Sequence, residues 1–203
     1  MQIILASASP RRREILGLLK IPFEIIVSES EEITEETSPG EVVSDLSNQK
    51  ARAVYARCER EGRLEENALI IGADTIVFHD DTILGKPADK ADACWMLKSL
   101  QGDVHQVYTG VTFIIKKGEK VSCHTFYEKT DVSMYEMTEE VLRRYVDTGE
   151  PMDKAGSYAV QGIGAVNIKQ IAGDYNNVVG LPLAGLYQRL KEHGIDLLEY
   201  GLK

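Results

Sequence analysis

The chain has 203 residues, of which 43% are hydrophobic, and no Pro/Gly/Ser-rich linker or charge block divides it. We therefore expect one domain over residues 1–203 with a core of its own. Its 32 acidic and 23 basic residues give a net charge of −9, which argues against a nucleic-acid-binding surface because phosphate backbones require a basic face. The three cysteines are scattered, no apolar run has the length of a membrane span, and no signal-peptide pattern is visible; these features predict a cytoplasmic protein with reduced thiols and no membrane partner.

The N-terminal stretch combines a short strand with the start of a helix. Gln2–Ala6 is apolar and predicts a strand, after which Ser9 fits a helix N-cap and Pro10 the first helical position. Free backbone N–H groups, the hydroxyls of Ser7 and Ser9 and the guanidinium groups of residues 11–13 would then meet at the positive end of the helix dipole. This arrangement suits a polyanion such as a triphosphate. The alternative is a surface helix with solvated arginines.

The next segment predicts a strand, an acidic loop and a long helix. Residues 22–27 predict the strand, which runs into an acid-rich stretch over residues 29–36 that we expect to be largely a solvated loop. The sequence of residues 38–41, Ser-Pro-Gly-Glu, predicts a capping box for a helix that continues to about Gly62. Lys50 lies near the apolar stripe of this helix, so its amino group either reaches solvent or points into a cleft.

A lone carboxylate among apolar residues is the central feature of the chain. Asp74 follows the aliphatic run Ala68–Ile71 and Gly72, and the chain turns apolar again at residues 76–78. Burial of a carboxylate costs several kcal/mol unless a cation, metal or donor compensates it, so this position predicts a functional acid. Lys86 supplies a positively charged side chain shortly after Asp74. The alternative is a hairpin with Asp74 at a bend.

Helices and strands interleave through the rest of the chain. Trp95 lies beside the apolar stripe of a helix and is interpreted as a core residue, while the glycine-punctuated connection over residues 150–164 is the kind of segment in which binding residues lie. Two long antiparallel strands in succession break strict alternation, which predicts an α/β or α+β fold around a mixed sheet. The predicted elements are helices over residues 89–102, 138–149 and 182–194, and strands over residues 105–115, 120–132 and 165–171.

Five motifs stand out in chain order: Leu5-Ala6-Ser7-x-Ser9-Pro10-Arg11-Arg12, Gly72-Ala73-Asp74-Thr75, Gly85-Lys86-Pro87, Asp153-Lys154-Ala155-Gly156-Ser157-Tyr158 and Val179-Gly180-Leu181-Pro182-Leu183. In this order and spacing they closely resemble the Maf family of nucleoside-triphosphate pyrophosphatases, which is related in fold to the inosine-triphosphate pyrophosphatases. The resemblance covers nearly the whole chain. It implies a central mixed sheet flanked by helices, with two lobes around a deep cleft.

The resemblance also implies roles for individual residues. Asp74 would be the catalytic acid/base and, with Glu32, would bind a divalent metal cation, Mg²⁺ or Mn²⁺, which suits hard carboxylate oxygens. The residues that would hold the phosphates are Ser9, Arg12, Lys50 and Lys86, together with Arg11.

Three positions near the base divide the family, and in this chain they are Arg11, Thr75 and Gln161. This combination resembles the branch that acts on dTTP and UTP, whereas the branch that acts on 7-methyl-GTP carries tryptophan, glutamine and glutamate there. The primary amide of Gln161 offers one donor and one acceptor, which match the O4 acceptor and N3–H donor of uracil or thymine. Guanine presents donors at N1 and N2 that suit a carboxylate better, and Arg11 would repel a cationic methylated guanine.

The expected reaction is hydrolysis of dTTP and UTP, or of modified pyrimidine nucleotides, to the nucleoside monophosphate and pyrophosphate. Two alternatives remain open: a regulatory protein of septum formation that senses nucleotide, and a 7-methyl-GTP pyrophosphatase. The sequence leaves the oligomeric state open, with a homodimer as one option, and it does not fix the preferred metal.

Overall fold

The computed structural model describes residues 1–29 and 33–201. The strands are β1 (Gln2–Ala6), β2 (Glu24–Ile25), β3 (Asn67–His79), β4 (Thr82–Leu84), β5 (Val104–Lys117), β6 (Lys120–Met134) and β7 (Ile168–Ala172). The α-helices are α1 (Pro10–Gly17), α2 (Pro39–Arg60), α3 (Lys90–Leu100), α4 (Glu139–Asp147), α5 (Tyr175–Val179) and α6 (Leu183–Glu192). Short 3-10 helices cover Glu150–Asp153, Ala155–Ser157, Ile163–Asn167 and Leu197–Tyr200.

Within the described residues, seven strands form one sheet in the order β2-β1-β3-β5-β6-β7, with β4 paired to the end of β3. Strand β1 runs parallel to β2 and to β3, where Gln2 lies opposite Ala68. The pairs β3–β4 and β6–β7 are antiparallel. The sheet is therefore mixed and accompanied by helices, which confirms the predicted fold class. No helix in the described part of the chain is long and apolar enough to cross a membrane.

The chain forms two compact units. The first comprises Met1–Asp74, Thr109–Glu128 and Gly180–Lys203, and the second comprises Thr75–Tyr108 and Lys129–Val179. Each unit has a hydrophobic core of its own. The first core includes Ile4, Ala51, Val54, Cys58 and Ile70, and the second includes Leu97, Leu100, Val107, Val132 and Leu142. The single domain and the cleft between two lobes stay predictions.

Helix α2 lies close against the sheet of the first unit because two strand positions opposite it are glycines. A Cβ atom at Gly72 of β3 would lie 2.7 Å from the carbonyl oxygen of Ser47, and a Cβ at Gly110 of β5 would overlap the backbone carbonyl of Val43. Real side chains do not approach a backbone so closely, so both positions require glycine for this packing. The contact fixes where the middle of α2 meets β3.

Two of the predicted local features differ in the structure. Ser38 precedes α2 as predicted, but its side chain makes no capping bond, and the first turn is closed by the bond from the N–H of Val42 to the carbonyl of Ser38, 2.9 Å. The capping-box prediction is therefore wrong in its side-chain part. Trp95 is 55% exposed because the buried stripe of α3 consists of residues 93, 96, 97 and 100, and position 95 faces away from it.

The structure also corrects two strand boundaries and excludes the hairpin alternative. The strand predicted over residues 22–27 covers only Glu24–Ile25. Ile163–Asn167 is a 3-10 helix, so the strand predicted over residues 165–171 begins only at Ile168. Asp74 lies in the interior of β3, not at a bend. The hairpin turn comes later, at Asp80 and Asp81, whose φ angles of 46° and 56° are ones that Asp tolerates better than most residues.

Candidate active site

The carboxylate of Asp74 is buried and paired with a cation. Asp74 is only 8% exposed within β3, and the amino group of Lys50 on α2 donates to its Oδ1 atom at 2.5 Å. Each of the two side chains is 12% exposed. The buried acid therefore has the compensation that its apolar surroundings require, and of the two orientations considered for Lys50 the structure shows the one that points inward.

Local geometry explains why these two residues meet. Side chains two positions apart lie on the same face of a strand, so Asp74 shares a face of β3 with Gly72. Helix α2 touches that face where the carbonyl of Ser47 meets Gly72, and Lys50 lies one helical turn further along α2. The close approach that glycine permits thus brings the lysine amino group to the carboxylate.

The metal-binding side chains available around Asp74 can be compared with the requirements of the predicted metal. Among the described residues, no group of three or more His, Cys, Asp or Glu side chains is arranged to hold a metal ion. Glu32, the second predicted metal ligand, lies outside the described residues. A single carboxylate fits a cation of the Mg²⁺ type, which usually keeps several waters and takes its other ligands from substrate phosphates. Asp74 is thus compatible with such an ion.

The start of α1 is organised by two serines and one arginine. Ser9 is the N-cap, and its hydroxyl accepts from the N–H of Arg12 at 3.5 Å. The buried hydroxyl of Ser7 accepts from the N–H of Ser9 at 3.2 Å and from Nη1 of Arg12 at 3.4 Å. The predicted N-cap is confirmed. The prediction of free backbone N–H groups is wrong for Ser9 and Arg12, because the serine hydroxyls already accept from them.

The three consecutive arginines differ in their surroundings. Arg13 is exposed, whereas Arg11 and Arg12 are half-buried. Arg12 is further fixed by a bond from its Nε to the carbonyl oxygen of Gly180, 2.8 Å. This partner is separated from Arg12 by 168 positions, so no local pattern could predict it. A side chain held in this way is not a freely solvated charge, which counts against the alternative of a solvated helix face.

The remaining predicted residues lie in the second unit. Thr75 follows Asp74 on β3 and is half-buried, and because successive side chains alternate it lies on the opposite face of the strand. Lys86 is exposed in the loop after β4, and this loop is anchored by a bond from the N–H of Gly156 to the carbonyl of Gly85, 3.0 Å. Gln161 is exposed and precedes the 3-10 helix Ile163–Asn167.

The structure thus joins some of the predicted residues directly. It pairs Asp74 with Lys50 and groups Ser9 with Arg12, all within the first unit. The sequence did not indicate that Ser7 and the Gly180 carbonyl hold Arg12. It also did not indicate Glu150, whose carboxylate contacts the segment after Gln161, as described below.

The chain is similar to known proteins over nearly its whole length. The profile of the family described as Maf-like protein matches residues 2–193. A dTTP/UTP pyrophosphatase of Agathobacter rectalis is 52% identical, over 97% of this chain and 99% of that protein. A dTTP/UTP pyrophosphatase of Bacillus anthracis is 50% identical, over 97% of both chains. The solved structure of the Staphylococcus aureus Ham1 protein aligns with 96% of this chain and 100% of that one, at 12% identity and a TM-score of 0.42. By its sequence match over nearly its whole length, the chain belongs to the Maf family.

Proposed function

We propose that the protein is a nucleoside triphosphate pyrophosphatase that hydrolyses dTTP and UTP to the nucleoside monophosphate and pyrophosphate. The observation that carries the proposal is the buried pair of Asp74 and Lys50, found in a chain about half identical to proteins named dTTP/UTP pyrophosphatase. The three free cysteines fit a cytoplasmic location, which is part of the proposal.

The chemistry assigned to the residues is attack of water on the α-phosphorus. Asp74 takes the proton from the attacking water as the new P–O bond forms, and the bond to the bridging oxygen breaks so that pyrophosphate leaves. Lys50 offsets the charge of the Asp74 carboxylate. A divalent cation bound by Asp74 and Glu32 would supply positive charge to the phosphate oxygens.

The cationic side chains hold the triphosphate. Arg12 is already oriented by Ser7 and Gly180, so little side-chain freedom is lost when it binds an anion. Lys86 extends from a loop whose backbone is anchored, and it supplies a second positive charge. Positioned cations of this kind stabilise charge that develops on the phosphates in the transition state.

Base selectivity is assigned to Arg11, Thr75 and Gln161. The Gln161 amide would donate to O4 and accept from N3–H of a pyrimidine. A 5-methyl group adds only one small apolar contact, which discriminates by about 1–3 kcal/mol at most, so dTTP and UTP are both expected substrates.

The test of this function is a panel of nucleoside triphosphates, read by pyrophosphate release from purified protein with Mg²⁺ or Mn²⁺. The panel contains dTTP, UTP, CTP, GTP and 7-methyl-GTP. The proposal expects dTTP and UTP to have the highest kcat/KM. Binding of dTTP without pyrophosphate release would contradict it in favour of a nucleotide-sensing protein, and a preference for 7-methyl-GTP would place the chain in the other branch.

Gln161→Glu tests whether the side chain of Gln161 recognises the base. The carboxylate would face the O4 acceptor of uracil, and an unpaired acceptor costs about 1–3 kcal/mol or more when charged, so kcat/KM for UTP should fall about tenfold or more. The kcat/KM for GTP should fall less than that for UTP, because the carboxylate accepts from N1–H and N2–H of guanine. The measurement is the ratio of kcat/KM for UTP to that for GTP. An unchanged ratio would show that Gln161 does not contact the base.

A further inference from the structure

The segment that carries Gln161 is held on its C-terminal side by the carboxylate of Glu150. One carboxylate oxygen, Oε1, accepts from the N–H of Ile163 at 2.9 Å, and the other, Oε2, accepts from the N–H of Gly164 at 2.8 Å. Gly162 has a φ of +80°, and a Cβ there would overlap Glu150. The glycine therefore lets the backbone turn tightly around the carboxylate immediately after Gln161.

A second side chain holds the same segment on its N-terminal side. The hydroxyl of Tyr145 accepts from the N–H of Ala159 at 3.1 Å and donates to Glu150. A Cβ at Gly164 would lie 2.5 Å from this hydroxyl, so the segment packs closely on it. The backbone is thus fixed two positions before Gln161 and two and three positions after it.

The protonation states support these bonds. Burial alone would raise the pKa of Glu150, but the two backbone N–H groups, the Tyr145 hydroxyl and Lys154 outweigh it and lower the pKa below its ordinary value. Burial, together with the bond to Glu150, raises the pKa of Tyr145 well above its usual range. At neutral pH the carboxylate is therefore charged and accepts, while the phenol keeps its proton and donates.

We propose that Glu150, supported by Tyr145, is a positioning residue that sets the base selectivity of the enzyme by fixing the backbone on both sides of Gln161. The proposal rests on the proposed function. An amide can read a pyrimidine edge only if its donor and acceptor meet their partners within hydrogen-bonding distance, and a displacement of about 1 Å is enough to lose this alignment. Glu150 acts through the backbone and does not itself touch the base.

The test is Glu150→Gln, which keeps the shape of the side chain but replaces one of the two acceptors with an NH₂ donor. One of the two backbone N–H groups then faces a donor, and amide hydrogen exchange at Ile163 and Gly164 should become faster. We expect the ratio of kcat/KM for UTP to that for GTP to fall by roughly tenfold, as the loss of a charge-assisted bond implies. The change should lie mainly in KM for UTP. Glu150→Asp, which keeps both acceptors on a shorter side chain, should recover part of the ratio.

A matched control separates positioning from a general loss of stability. Val132 is fully buried in the core of the second unit, and its apolar side chain cannot form hydrogen bonds to the segment that carries Gln161. Val132→Ala should lower the thermal midpoint of unfolding, yet leave the UTP:GTP ratio unchanged. If Glu150→Gln speeds amide exchange but leaves the ratio at the wild-type value, or if Val132→Ala shifts the ratio equally, the inference is overturned. Wild-type protein that releases no pyrophosphate from any nucleotide would instead refute the proposed function, and the inference would fall with it.

Discussion

Asp74 and Lys50 form an ion pair from which most water is excluded, since only 12% of each side chain is exposed. Exposed ion pairs contribute about 1 kcal/mol or less to stability, whereas removal of one partner from a buried pair costs about 3–5 kcal/mol. A hydrophobic pair of similar volume would serve stability equally well. Stability alone therefore does not require two charges at this place in the first unit, which supports the catalytic role proposed for Asp74.

Arg12 and Arg13 provide a matched comparison, because they are adjacent in the chain but differ in their contacts. Arg12 is held by Ser7 and the Gly180 carbonyl, whereas Arg13 is exposed. We expect Arg12→Ala to lower kcat/KM by about tenfold or more for every nucleotide together, since charge-assisted bonds to phosphate are worth about 1.5–3 kcal/mol. Arg13→Ala should change kcat/KM less than twofold. Equal small losses in both variants would support the solvated-face alternative.

At the scale of elements, the packing of α2 against β3 determines where Lys50 lies. Gly72→Ala would place a Cβ atom 2.7 Å from the carbonyl oxygen of Ser47, and overpacking of this kind costs about 1–3 kcal/mol. We expect the free energy of unfolding, measured in urea, to fall by that amount and kcat to fall because α2 shifts with Lys50. Gly17→Ala is the control, because a Cβ at Gly17 meets nothing within 4 Å and Ala favours a helix. If Gly72→Ala is as stable as that control, the close approach does not position Lys50.

Elements specified by local signals could be predicted from the sequence. The Ser9 cap is an example, because its hydroxyl accepts from the N–H of Arg12 three residues later, a contact within one turn. The 3-10 helix at Ile163–Asn167 could not be predicted, because the carboxylate that caps it comes from Glu150, 13 positions earlier. The pairing of Asp74 with Lys50 could be anticipated only as a need for compensation, since the partner is chosen by packing between elements.

At the scale of the whole molecule, each unit has its own core, and a buried histidine in the second unit links stability to pH. His105 is fully buried, and its Nε2 atom lies 2.7 Å from the Tyr158 hydroxyl. Burial, reinforced by the nearby His79, lowers the pKa of His105 to about 4 from 6.5. The folded protein therefore keeps this histidine neutral where the unfolded chain protonates it.

The direction of the pH effect on stability follows from the number of protons that the folded and unfolded states bind. Because the unfolded state binds the extra proton below pH 6.5, the free energy of unfolding should be intact above that pH and fall by about 3 kcal/mol as the pH drops from 6.5 to 4. His124, whose pKa burial also lowers, adds a fall of the same sign. Urea unfolding across this range should show the loss, and His105→Gln should flatten it. The same slope in that variant would rule out His105 as the cause.

The central claim is that Asp74 is the catalytic acid/base of a pyrimidine nucleotide pyrophosphatase, and the most direct measurement is kcat for pyrophosphate release from dTTP by Asp74→Asn. The amide keeps the shape of the side chain but can neither take the proton nor carry charge. Asp80→Asn, at an exposed turn position that Asn also tolerates, serves as the control and should retain wild-type kcat. We predict that Asp74→Asn remains folded, as judged by its thermal unfolding, and loses about a hundredfold or more in kcat. A folded variant that retains more than about a tenth of the wild-type rate, a barrier change below about 1.4 kcal/mol, would contradict the claim.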